Sequence, residues 1–306
     1  MNAIGLKSDP VNTRYSWDWL FELLTEEKIK FLQLGAFFEL YTMDLEYFEQ
    51  LKKKADAAGV RIKSTFTAYR ELGGFFYGDP FMEKAARKSF EKFIEVSAIV
   101  GADYCGSNPG AVYRDQMHHK QEGIETYLRH MKELQHFAKE KGLKGLTIEP
   151  MSCSAEPPTT PAEMDHMVGT LMDYHQENKG TTVPVYLCGD ISHGFADEHK
   201  NIIHSNLELF EHAIPMMSEF HFKNTDEIYN STFGFSPEER NRGIVDLNQI
   251  KEIIENNKDK WPVEQVIGYL ELGGPKIGRD YSDKLLRDQL KASIKAIKEV
   301  FEPSLV

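Results

Sequence analysis

The sequence predicts a single-domain (β/α)8 barrel spanning residues 1–306. Eight short apolar, β-branched stretches alternate with segments of helical periodicity, and such alternation builds a parallel sheet with crossover helices. Eight such units in a chain of 306 residues match the size of a closed barrel. An open doubly wound sheet is the competing arrangement, and no Gly-rich phosphate fingerprint follows the first strand to support it.

The first strand is Ala3-Ile-Gly-Leu-Lys-Ser8, stopped by Asp9-Pro10. Trp17, Leu20, Phe21 and Leu24 then recur at helical spacing behind Ser16, an N-cap residue type. Lys30 to Phe37 is the second strand, Asp44 to Ala58 a helix closed by Gly59, and Val60 to Thr67 the third strand. The aromatic, Gly-rich loop Tyr69 to Pro80 has two readings: a surface loop packed by its own side chains, or a lid over a ligand. Phe81 to Val100 is a helix, and Ala102 to Gly110 holds the fourth strand and a turn. The helix Asp115 to Lys141 carries His118, His119, His130 and His136, which point in different directions and read as solvated.

Gly145 to Glu149 is the fifth strand, and Thr160 with Pro161 opens a helix that runs to Glu177. Val183 to Cys188 is the sixth strand, Asn201 to Met217 a helix, and Glu219 to Phe222 the seventh strand. A polar loop from Asn224 to Arg242 is long enough to indicate function or mobility. Asp246 to Asn257 is a helix, Glu264 to Leu272 the eighth strand, and Ser282 to Phe301 a Lys-rich amphipathic helix.

The formal net charge is −12, with Lys+Arg 36 against Asp+Glu 48, which disfavours a nucleic-acid partner and favours small-molecule chemistry. Cys105, Cys153 and Cys188 match neither a zinc ribbon nor a redox pair. The N-terminus lacks a signal-peptide core, and no apolar run approaches a membrane span. A reducing cytoplasm is the expected compartment.

The chemistry starts from Gly145-Leu-Thr-Ile-Glu149. A carboxylate ending an apolar strand is costly to bury unless something pairs with it. Alone, Glu149 reads as a loop cap or the partner of a surface lysine. Three later strands repeat the pattern: Tyr186 to Asp190 with His193, Glu219-Phe-His221-Phe-Lys223, and Gly268-Tyr-Leu-Glu271. In a (β/α)8 barrel the C-terminal strand ends converge on one pocket. Three carboxylates and an imidazole suit Mn²⁺, Mg²⁺ or Co²⁺ better than structural zinc, and gathered carboxylates need a cation to stay ionised together.

With Glu149, the Asp190-x-x-His193 pair, His221 followed by Phe222-Lys223, and Glu271, the chain resembles the xylose isomerase-like superfamily of divalent-metal sugar isomerases and epimerases. The resemblance covers nearly the whole chain and is nearest to the ketose 3-epimerases. It implies that Glu149, Asp190, His221 and Glu271 bind a divalent metal, with Mn²⁺ foremost and Mg²⁺, Co²⁺ or Zn²⁺ as alternatives. It also implies that Glu149 and Glu271 act as catalytic acid and base on opposite faces of a ketose. C3 would invert through a cis-enediolate. His193 would touch substrate oxygens, and Lys223 would help to stabilise oxyanion charge.

Two departures bear on the substrate. The second carboxylate usual in the epimerases is matched only by Glu156, in Ser152-Cys-Ser-Ala-Glu156, and the usual arginine after the seventh-strand histidine is replaced by Lys223-Asn-Thr225. Gly273-Gly-Pro-Lys276-Ile-Gly-Arg279 reads either as an ordinary turn or as a phosphate site of backbone N–H groups and cations. The second reading points to a tetrulose or pentulose phosphate. The expected partner is thus a small-molecule sugar or sugar phosphate, with no nucleic acid and no membrane; a homo-oligomer is left open. Competing functions are an aldose–ketose isomerase, a lyase or dehydratase on a sugar-derived keto acid or inosose, and a non-catalytic sugar-binding barrel. The related DNA-repair endonuclease needs more strand-end histidines and a basic groove.

Overall fold

The computed structural model describes residues 3–35, 37–67, 73–273 and 283–302. In chain order the elements begin β1 (Ala3–Lys7), α1 (Asp9–Asn12), α2 (Trp17–Glu26), β2 (Phe31–Leu34), α3 (Phe37–Thr42), α4 (Leu45–Ala57), β3 (Arg61–Thr67), α5 (Pro80–Val100) and β4 (Tyr104–Ser107). They continue with α6 (Lys120–Glu140), β5 (Gly145–Ile148), α7 (Pro161–Glu177), β6 (Val185–Asp190), β7 (Phe195–Ala196), β8 (Ile202–His204), α8 (Asn206–Ala213) and β9 (Met217–Phe222). The last are α9 (Pro237–Arg242), α10 (Leu247–Asn256), β10 (Ile267–Leu270) and α11 (Asp283–Phe301). Eight strands close into a barrel in the order β1-β10-β9-β6-β5-β4-β3-β2, and β7 and β8 form a separate antiparallel pair.

By packing, the chain groups into two compact units, one of residues 1–36, 54–61 and 189–306, the other of residues 37–53 and 62–188. In the first, β1 lies parallel between β10 and β2, with Leu6 opposite Leu270 and Lys7 opposite Gln33. β10 pairs in turn with β9, Tyr269 opposite His221. Side chains alternate along a strand, so Lys7, Gln33 and Glu271 share the inward face with His221. Leu20, Phe21, Leu23 and Leu24 form the buried stripe of α2, whose N-cap Ser16 accepts a bond from the Trp19 N–H at 3.2 Å.

In the second unit β3, β4, β5 and β6 run parallel, with Ser64 opposite Tyr104 and Gly106 opposite Thr147. Gly106 has no room for a side chain, since a Cβ there would lie 1.8 Å from Thr147 Oγ1. Asp79 caps α5 by accepting from the Phe81 and Met82 N–H groups, and Gly101 ends it at φ 77°, a left-handed conformation that glycine adopts cheaply.

Several expectations are corrected. The helix expected over 201–217 covers only Asn206–Ala213, because the β-branched run Ile202–His204 pairs with Phe195–Ala196 and Ser205 caps the helix behind it. The second strand stops at Leu34 and α3 follows, and the seventh begins earlier than expected, at Met217. Residues 73–79 of the expected loop-or-lid are packed by their own rings, with Phe75 against Tyr127 and His130 and both Phe75 and Phe76 buried. His130 is buried beside Glu83 at 2.7 Å, and His136 bridges Tyr174 and the Thr181 carbonyl, so neither is solvated as expected. Both face neighbouring elements, which the polar character of their helix concealed. Among the described residues no helix is long and apolar enough to cross a membrane.

Candidate metal centre

Four strands end by delivering a polar side chain. Asp190 is the last residue of β6, His221 is the penultimate residue of β9, and Lys223 follows β9 directly. Glu271 follows β10, and its N–H donates to the Phe222 carbonyl at 3.0 Å, which extends the ladder by one bond. Glu149 follows β5, tied to the Ser107 carbonyl through its N–H, and its Oε2 accepts from Asn108 Nδ2 at 2.5 Å. Within the first unit Asp190, His221 and Glu271 each offer one ligand atom, and those three atoms lie within 4.8 Å of one another.

The orientation of His221 is fixed from behind. Its Nε2–H donates to Gln33 Oε1 at 2.8 Å, which leaves the Nδ1 lone pair directed forward. Nδ1 lies 3.3 Å from Glu271 Oε2 and 3.9 Å from Asp190 Oδ2. Asp190 is divided in the same way. Its Oδ1 accepts from the Ser192 N–H and hydroxyl, both at 2.7 Å, whereas its buried Oδ2 accepts no hydrogen bond. Lys223 Nζ is 2.7 Å from that oxygen but out of line for a hydrogen bond.

Glu271 is gripped through both oxygens, Oε1 by Lys7 Nζ at 2.5 Å and Oε2 by Lys223 Nζ at 2.8 Å. Burial alone would raise its pKa, but Lys223 and then Lys7 outweigh burial and hold the carboxyl well below the usual range. Asp9, 3.7 Å from Lys7, shifts the other way: burial raises it, and the pull of Lys7 does not overcome that.

His193 Nε2 stands 3.5 Å from Asp190 Oδ2, so the structure brings His193 and Lys223 beside Asp190. Glu156 is buried on the loop after β5, where its carbonyl accepts from the Thr159 hydroxyl. Lys276 and Arg279 lie outside the described residues. Sequence reasoning missed Lys7, Gln33 and Asn108. The available signal is a polar residue at or near the end of an apolar strand: Lys7 ends β1, Gln33 is the penultimate residue of β2 and Asn108 follows β4.

The donor set fits a divalent cation. His221 Nδ1 faces Asp190 Oδ2 and Glu271 Oε2, two oxygens that the Lys223 ammonium already draws together, and a metal ion there would take the imidazole nitrogen and both oxygens as ligands. Hard oxygen donors with one imidazole suit Mn²⁺, Mg²⁺ or Co²⁺, and zinc also accepts such ligands.

Among solved structures, the chain is similar to a candidate xylose isomerase from Rhodospirillum rubrum ATCC 11170, at 18% identity and TM-score 0.76, over 98% of this chain and 99% of that one. It is also similar to D-psicose 3-epimerase with D-tagatose from Clostridium cellulolyticum H10, at 15% identity and TM-score 0.71, with 98% and 99% covered. A third is the IOLI protein with a binding zinc atom, at 15% identity and TM-score 0.67, with 98% and 99% covered. No curated protein sequence matches significantly. The family model of the xylose isomerase-like TIM barrel matches residues 21–264, and the chain belongs to that family.

Proposed function

We propose that this protein is a divalent-metal-dependent epimerase that inverts C3 of a ketose or a short ketose phosphate. The observation that carries the reading is the convergence of the Asp190 and Glu271 carboxylates with the His221 imidazole, of fixed tautomer, within 4.8 Å. Glu149, Asp190, His221 and Glu271 would hold the ion, with Mn²⁺ the first candidate. When bound, the ion supplies Lewis acidity that lowers the pKa of the C–H beside a coordinated carbonyl.

The remaining work falls to side chains. One of Glu149 and Glu271 removes the C3 proton, and the other returns a proton from the opposite face of the planar enediolate. Asn108 orients Glu149, while Lys7 and Lys223 keep Glu271 ionised and in place. His193 binds substrate oxygens, and Lys223 adds positive charge near the developing oxyanion. The D-psicose 3-epimerase likeness supports the choice of reaction within the family, and Lys223 in place of the usual arginine supports a substrate that differs from a plain hexulose.

The test is solvent-deuterium incorporation into free and phosphorylated four- to six-carbon ketoses with Mn²⁺ added. Label at C3 with inverted configuration is expected. Label at C1 or C2 of an interconverted aldose would assign an isomerase instead, and no incorporation into any of them would end the enolisation reading.

A further inference from the structure

His193 is held in place by a residue far from it in sequence. The segment Ile191–Gly194 follows Asp190 and is pinned at three points. The Ile191 carbonyl accepts from Asn206 Nδ2 at 2.8 Å, and Ser192 donates twice to Asp190. At Gly194 the backbone lies against the Tyr229 ring, so close that a Cβ there would fall 2.2 Å from Tyr229 Cζ. The Tyr229 hydroxyl in turn accepts from the Asn206 N–H at 3.3 Å, so that Asn206 ties both segments together.

Tyr229 holds this position in an unfavourable conformation. Its φ of 59° is in the left-handed region, which non-glycine residues seldom occupy. A turn built on Asp226 imposes it. The Asp226 carboxylate accepts from the Ile228 and Asn230 N–H groups at 3.1 and 2.9 Å and from the Ser231 hydroxyl. A bulky ring in a disfavoured conformation, aimed at a glycine that admits it, is a fitted contact between the loop after β9 and the loop after β6.

We propose that Tyr229 is a positioning residue for His193: its ring, seated on Gly194, sets the angle at which the imidazole meets Asp190 and a bound sugar. This rests on the reading of His193 as a substrate-binding group. It identifies the loop 224–235 as part of the specificity apparatus, acting through contact with the Ile191–Gly194 segment rather than through the substrate.

The test compares Tyr229→Phe, Tyr229→Ala and Gly194→Ala in the full chain, with Mn²⁺ for kinetics and diamagnetic Mg²⁺ for NMR. Tyr229→Phe keeps the ring and should retain kcat/KM within a few-fold. Tyr229→Ala and Gly194→Ala should lower kcat/KM for the ketose by about a hundredfold, the scale of a reacting group displaced by an ångström. The loss should match that of His193→Gln and should not be additive with it. The His193 ring resonance, assigned by its disappearance in His193→Gln, should shift and broaden in Tyr229→Ala and return in Tyr229→Phe. Unchanged kinetics and an unchanged His193 signal in Tyr229→Ala would overturn the proposal, as would equal damage from Tyr229→Phe. If the parent enzyme turns over no ketose, the function fails while the resonance still decides the positioning. If Tyr229→Ala does not fold, Gly194→Ala and Tyr229→Phe carry the same comparison.

Discussion

Gln33 Oε1 accepts the Nε2 proton of His221 across 2.8 Å and 188 residues of chain, and this bond decides which imidazole nitrogen faces the carboxylates. Gln33→Leu removes the acceptor and frees the ring to adopt the other tautomer. The expected result is a loss of Mn²⁺ affinity of about 10- to 100-fold, the usual cost of deleting such a partner, with the fold retained. Isothermal titration with Mn²⁺ measures it, and an unchanged affinity would dismiss Gln33 from this role.

Glu149→Gln and Glu271→Gln conserve volume and remove basicity. Each should lower kcat by about 10²- to 10⁴-fold, the range for a positioned acid or base, with circular dichroism unchanged. In Glu271→Gln the ammonium groups of Lys7 and Lys223 each also lose one of their carboxylate partners, so that variant should melt lower than Glu149→Gln. Near-normal turnover in either variant would remove that glutamate from the proton transfer.

The phosphate reading rests on two cations, Lys276 and Arg279, that follow Gly273-Gly-Pro in the sequence. Replacing Lys276 and Arg279 together by alanine should raise KM for a phosphorylated ketose and leave that of a free ketose unchanged. Equal effects on the two substrates would discard the site.

At the opposite end of the strands, Asp103 sits just before β4 between Lys63, its hydrogen-bonded partner, and Lys144 at 3.0 Å. Burial raises the Asp103 carboxyl, but the two lysines outweigh it and the net shift is downward. A depressed pKa in the folded state stabilises above the unfolded value, about 3.9 for Asp, and that stabilisation is lost as pH falls through the lower folded value. Asp103→Asn should therefore cost about 3 kcal/mol at pH 7, because it leaves the buried Lys63 unpaired. The difference in melting temperature between parent and variant should shrink as the pH is lowered through the acid range. A gap that stays constant with pH would contradict the electrostatic origin.

Gly106 faces Thr147 inside the sheet with no space for a methyl group. The obstacle includes the Thr147 carbonyl oxygen, 2.8 Å from the ideal Cβ, as well as its hydroxyl at 1.8 Å. Gly106→Ala should cost at least about 2 kcal/mol by overpacking, measured by urea denaturation. Adding Thr147→Ser should leave most of that loss, since both obstructing oxygens remain.

What the sequence determined by itself was periodic and local. Apolar strands alternating with amphipathic helices specify a parallel sheet buried on both faces, and the count of eight such units points to its closure into a barrel. That Glu149, Asp190, His221 and Glu271 stand at or beside strand ends was legible for the same reason: polar residues interrupt apolar runs there. Hairpin residues Ile202 and Ile203 were misread because a short β-branched run beside a helix has no period of its own. Only the tertiary structure decided which polar residues meet. Lys7 reaches Glu271 across 264 residues because β1 pairs with β10, and Gln33 reaches His221 because the register places their side chains on one face. Such contacts depend on strand order and register, which arise from the packing of the whole chain and leave no trace in the local pattern of residues.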